Sequence, residues 1–142
     1  MDLRDITPDL SVSPQILPEE LAELAAQGFG VVINNRPDAE VGADEDGAAI
    51  QAAAAAAGME YRAIPFVPGQ ITQEMIDAQA EALALPGRKI AYCRSGNRST
   101  VLWALTQAGA QPTAELLGTA ARAGYDLSGV APLIESLAAR AR

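Results

Sequence analysis

The sequence predicts an α/β fold on a mainly parallel sheet. Two observations carry this reading. Short apolar runs rich in Val and Ile alternate with helical stretches of ten or more residues, which is the signature of successive β-α-β units. Alanine-rich segments such as AAIQAAAAAAG, residues 48–58, read as helix because alanine loses no side-chain entropy there. With 142 residues the chain has the length of one domain able to bury a core, so residues 1–142 are expected to form a single domain.

Taken in order, DLSVS predicts a first strand over residues 10–13, and Leu17-Pro18-Glu19-Glu20 opens a helix, with proline and acids suited to a first turn. That helix ends at Gln27-Gly28. FGVVINN predicts a second strand over 30–34, followed by the polar turn NRPDAE over 35–40. The acidic VGADEDG loop leads into the alanine helix, which stops at Gly58. MEYRAIPF predicts a third strand to about Pro65, and Thr72 caps the helix of TQEMIDAQAEALAL, which Pro86-Gly87 breaks. RKIAY is the fourth and last strand. From Ser99 the pattern is helical, with Val101, Leu102, Leu105 and Ala108 on one face and Gly109 at a C-cap position. Residues 113–124 form another helix, and VAPLIESLAARAR a last one with arginines at its C-terminal end.

Composition excludes several function classes. The net charge is −8 and the ten basic residues form no stripe, so no nucleic-acid partner is expected. No run is long and apolar enough for a membrane span, and the start, MDLRDITPDL, has no secretory core, so no membrane partner is expected and the expected compartment is cytoplasmic. The chain has one cysteine and no histidine, which rules out an internal disulfide, a Cys/His metal site and a Cys–His dyad within it. Asp44, Glu45 and Asp46 are contiguous instead of being spaced around a coordination sphere. No metal or cofactor is expected.

The chemistry converges on KIAYCRSGNRSTVLWAL, residues 89–105. Cys93 lies at the carboxyl end of the fourth strand, where ligands bind in open parallel sheets. A short loop from strand to helix can turn successive N–H groups inward as an anion nest, with the helix dipole behind it, and Gly96 permits the tight curl. Arg98 supplies a planar fork for two oxygens of an oxyanion, and Ser99 is placed to donate a hydrogen bond to a thiolate. Arg94, Ser95 and Asn97 complete the loop at its rim. A lone cysteine is often only a small buried hydrophobe, but Arg, Ser, Gly, Asn and Arg make a poor core. Arg36 and Asp38 follow the second strand on the same edge of the sheet. They line the pocket or orient Arg98, or else form only a local turn pair. Trp103, Tyr61 and Tyr125 read as core or rim.

The octet YCRSGNRS resembles the active-site loop of single-domain rhodaneses, in which four residues separate cysteine from arginine. The wider chain is similar to the phosphatase-like domain family of beta-lactamase hydrolase-like proteins, through GFGVVINNRPDAE, YRAIPF followed by ITQEMI, and YCRSGNRSTVLWAL. This resemblance implies a dual-specificity-phosphatase-like fold: three α/β/α layers around a parallel four-stranded sheet. Members fused to persulfide dioxygenases and sulfide-oxidation enzymes imply sulfur chemistry and persulfide-oxidising partners, whereas the family's description implies a phosphatase or hydrolase.

Two features favour sulfur over phosphate. Tyrosine and dual-specificity phosphatases place five residues between cysteine and arginine, one more than here. They also draw a general acid from an upstream loop, because a phenoxide leaving group has a parent pKa of about 10, and IPFVPGQIT, the matching stretch, holds no Asp or Glu. Glu60 and Glu74 lie outside it. The expected function is therefore a cysteine-dependent, rhodanese-like sulfurtransferase that takes sulfane sulfur from thiosulfate or a persulfide onto Cys93 and passes it to an external thiol acceptor. The alternatives are a cysteine-based phosphatase working through phosphocysteine and a non-catalytic anion-binding module.

Overall fold

The structure is a computed structural model that describes residues 1–141. Five strands form one sheet in the order β1-β2-β5-β3-β4: β1 (Arg4–Thr7), β2 (Leu10–Ser13), β3 (Phe29–Asn34), β4 (Glu60–Ala63) and β5 (Arg88–Tyr92). Strands β2, β5, β3 and β4 are parallel to their neighbours. The expected four-stranded parallel sheet is therefore present, with a fifth strand that the sequence reading missed. Strand β1 pairs antiparallel with β2 through a tight hairpin, where Thr7 Oγ1 accepts from the N–H groups of Asp9 and Leu10. Its sequence, Arg-Asp-Ile-Thr, carries charges and one buried apolar residue, Ile6. An edge strand with one face towards water gives that weak signal.

Six α-helices cover the sheet: α1 (Leu21–Ala26), α2 (Gly47–Ala56), α3 (Gln73–Leu83), α4 (Asn97–Thr106), α5 (Thr113–Arg122) and α6 (Ala131–Ala141). The segment Pro18–Glu20 is a 3-10 turn rather than the start of the α-helix. Asp46 and Thr72 cap α2 and α3 by accepting from the N–H groups of Ala49 and Met75. Strand alternation divides the core into two layers. Val31, Ile33 and Ala91 face α3 to α6, whereas Val32, Ile90 and Tyr92 face α1 and α2. The three-layer expectation holds.

Helix α4 departs from the amphipathic reading. Every residue from Ser99 to Leu105 is buried, because α4 packs on the sheet and is covered in turn by α3, α5 and α6. Trp103 is core, as expected. Among the described residues no strand follows β5, and no helix is long and apolar enough to cross a membrane. Arg142, the last arginine that the sequence predicts for the final helix, lies outside the described residues.

Candidate active site

Strand β5 is central, and its last residue, Tyr92, registers with both Ser13 of β2 and Asn34 of β3. Cys93 therefore leaves the sheet at the middle of its carboxyl edge, tied to it by its N–H to the Ser13 carbonyl at 3.4 Å. It is 1 % exposed. The loop curls back so that the Gly96 N–H donates to Cys93 Sγ at 3.1 Å. This curl requires φ of +92° at Gly96, the residue just before α4, a conformation that side chains other than glycine's resist. The Gly96 carbonyl then accepts from the N–H and the hydroxyl of Thr100. The sulfur thus sits at the start of a ten-residue helix, whose dipole favours an anion there.

Arg98 is held at the far side of its guanidinium. Its Nη1 donates to Glu40 Oε2 at 2.9 Å and to the Phe66 carbonyl at 2.6 Å, and its Nη2 donates to Glu40 Oε1 at 2.6 Å. A guanidinium carries five N–H bonds, so these contacts leave Nε–H and one Nη2–H, which point the same way. That edge is the side-on fork suited to two oxygens of an oxyanion. The hydrogen bond to Glu40 first, then the charges of Cys93 and Glu40, raise the guanidinium above its ordinary value against the opposing effect of burial. Hydrogen bonding from Arg98 lowers Glu40 from its ordinary 4.5, burial opposes this, and Arg36 adds to the lowering. Glu40 is therefore an ionised strut.

Arg36 stands one step behind. Its Nε donates to Glu40 Oε1 at 3.3 Å, its Nη2 to the Glu40 carbonyl at 3.1 Å and its Nη1 to Gln15 Oε1 at 3.1 Å. It orients Arg98 through Glu40 and does not touch it. Asp38 makes no hydrogen bond to Arg98 or Glu40: its Oδ1 accepts from the Gly47 N–H at 2.9 Å and closes the start of α2. Arg36 and Asp38 do border one cavity of about 380 Å³, with Tyr61, Ala63, Pro65 and Val67. Phe66, whose carbonyl meets Arg98, lies between two of its walls.

The other expected residues separate. Arg94, Ser95 and Asn97 are exposed on the loop, with Ser95 Oγ accepting from the Asn97 N–H. Ser99 is wholly buried and its hydroxyl has no partner among the described residues. It makes no hydrogen bond to Cys93 Sγ; the loop's own backbone N–H, from Gly96, does so instead. The upstream stretch contributes the Phe66 carbonyl and no carboxylic acid, while Glu60 pairs with Arg62.

Two residues were given no part in the site by the sequence. Glu40 lay within the NRPDAE turn, and a third charged residue after Arg36 and Asp38 was its only signal. Tyr125, core as expected, gave no sign of a contact with the loop, although its hydroxyl donates to the Ser95 carbonyl at 3.0 Å.

The model of the phosphatase-like domain of beta-lactamase hydrolase-like proteins matches residues 2–110. This chain belongs to that family. Beta-lactamase hydrolase-like proteins of Xylella fastidiosa (strain Temecula1) and Agrobacterium fabrum are each 35 % identical to it, over 108 and 100 residues. These matches take in 75 % and 70 % of the chain but only 25 % and 23 % of the relatives, so this phosphatase-like domain spans about a quarter of the curated relatives' length. A candidate phosphatase from Neisseria meningitidis is similar in structure, with TM-score 0.84, 25 % identity and coverage of 96 % of this chain and 99 % of that one. Tk-PTP in its active form aligns with TM-score 0.73 at 17 % identity, over 98 % of this chain and 97 % of its own. TpbA of P. aeruginosa aligns with TM-score 0.69 at 14 % identity, over 99 % and 90 %. The last two likenesses establish the fold alone. The matched family residues stop at 110, so α5, Tyr125 and α6 lie beyond them.

Proposed function

We propose that this domain is a cysteine-dependent phosphatase acting on phosphate monoesters or anhydrides with good leaving groups. The observation that carries the reading is the free Nε/Nη2 edge of Arg98, held by Glu40 and Phe66 beside a sulfur that receives the Gly96 N–H. The phosphatase-like family and the phosphatase fold of its structural neighbours support it. The Cys93 thiolate attacks phosphorus, an S–P bond forms, and the ester P–O bond breaks with its electron pair going to the leaving oxygen. Water then attacks the phosphocysteine, phosphate leaves, the S–P pair returns to sulfur, and the excess proton passes to solvent.

This ranking reverses the expectation from sequence, which placed sulfur transfer first. Four residues still separate Cys93 from Arg98, but the family and the fold neighbours add weight on the phosphatase side. The missing proton donor persists and shapes the substrate class. Glu40 is ionised and committed to two arginines, so the leaving oxygen departs as an anion. Rates should therefore rise steeply with leaving-group acidity, and alkyl phosphates should be poor substrates.

Sulfur transfer is the second reading, favoured by the four-residue spacing of Cys93 and Arg98 and by the same absence of an acid. There the thiolate attacks the outer sulfur of thiosulfate, the S–S bond breaks, sulfite leaves with the electron pair, and the persulfide passes to an external thiol. Incubation with p-nitrophenyl phosphate and, separately, with thiosulfate, followed by intact-mass measurement, distinguishes the two. The expected result is phosphate release with a phosphoryl adduct on Cys93. A persulfide without phosphate release would overturn it in favour of sulfur transfer.

A further inference from the structure

Tyr125 sits in the segment after α5, outside the matched family residues, yet it touches the active-site loop from behind. Its hydroxyl donates to the Ser95 carbonyl at 3.0 Å. The Ser95 carbonyl and the Gly96 N–H belong to one planar trans peptide, so they point in opposite directions. The Gly96 N–H is the group that donates to Cys93 Sγ. Fixing the oxygen therefore aims the hydrogen.

The surroundings hold Tyr125 in that role. Burial first, and the nearby Asp2 and Cys93 charges after it, push its hydroxyl above the ordinary tyrosine value against the pull of Arg4, so it stays a neutral donor. The Arg4 guanidinium lies 5.4 Å from its ring centroid and donates to the Ala123 carbonyl at 2.9 Å, which ties β1 to the segment carrying Tyr125. The fit is close: a side chain at Gly96 would collide with the Tyr125 hydroxyl.

We propose that Tyr125 is a positioning residue, whose hydroxyl clamps the Ser95–Gly96 peptide so that its N–H is held on the Cys93 sulfur. The inference rests on reading Cys93 as the nucleophile. The charged and titratable groups placed around the loop are Arg98 from α4 and Tyr125 itself, with Glu40 holding the first and Arg4, paired with Asp2, beside the second.

The test is the pH dependence of Cys93 alkylation by iodoacetamide, which needs no substrate, in the wild type, Tyr125→Phe and Tyr125→Leu, with thermal unfolding measured alongside. A peptide freed to rock gives up part of a hydrogen bond to an anion, so Tyr125→Phe should move the alkylation midpoint up by about half a unit to one unit, with Tm nearly unchanged. Tyr125→Leu should shift the midpoint and also lower Tm. An unshifted midpoint in Tyr125→Phe, with only the leucine variant impaired, would reduce Tyr125 to packing and overturn the proposal. If wild-type alkylation shows no titration between about pH 4 and 9, the nucleophile reading itself falls, and the clamp with it.

Discussion

The loop after β5 and the loop after β3 leave adjacent parallel strands at the same edge of the sheet, yet different forces hold them. Backbone shapes the Cys93 loop: one glycine at φ +92°, one N–H to sulfur and one carbonyl capped by Thr100. Side chains shape the Asn35–Glu40 loop: Arg36 grips Glu40 at both its carboxylate and its carbonyl, and Asp38 reaches across to Gly47. The first positions Cys93 within a few residues of sequence. The second positions Arg98 from 58 residues away.

Breaking the first loop should cost most. Cys93→Ser is expected to lower kcat for p-nitrophenyl phosphate by about 10⁴-fold or more and to abolish the covalent adduct seen by mass. Arg98→Lys keeps the charge but loses the side-on fork, and steady-state kinetics should show a fall of about 10² to 10³-fold. Breaking the second loop should cost less, because it acts at one remove. Glu40→Gln keeps the shape but halves the strut's grip, and kcat/KM should drop by about tenfold.

The same strut has a pH signature. Glu40 is lowered from 4.5 by Arg98 and Arg36, so its contribution to stability is complete above the ordinary glutamate value and is lost as pH falls through its lower folded value. Urea midpoints measured between about pH 5 and 3 should fall less steeply in Glu40→Gln than in the wild type. The smallest effect should come from Asp38→Ala, which removes one exposed bond to the Gly47 N–H. It should cost about 1 kcal/mol in chemical denaturation and leave kcat unchanged. A large loss of activity there would mean that Asp38 reaches the substrate.

Legibility followed the range of the forces. Strands β2, β3 and β5 showed as apolar runs because both their faces are buried, whereas β4, exposed or half-buried throughout, showed by its place in the β-α-β alternation and α2 by its alanine content. The Cys93 loop showed because a strand end, a glycine and an arginine fall within six consecutive positions, 93–98. Strand β1 did not show, since an edge strand needs only one buried residue, Ile6, and its pairing is decided by the hairpin. Ser99 could not be placed from the sequence either: its hydroxyl is buried at the root of α4 and makes no hydrogen bond among the described residues. Arg36 and Asp38, alike as turn residues, parted company once packing set one against Glu40 and the other against α2.

On its own, the sequence determined the parallel α/β class, the place of Cys93 at a strand end, and a chemistry without histidine, because alternation, capping and residue type are local and one-dimensional. Tertiary structure alone decided which carboxylate holds Arg98, which edge of its guanidinium stays open, and that Tyr125 stands behind the loop. Those depend on contacts between residues 30 to 58 positions apart, and such contacts exist only once the sheet has brought its carboxyl edge together.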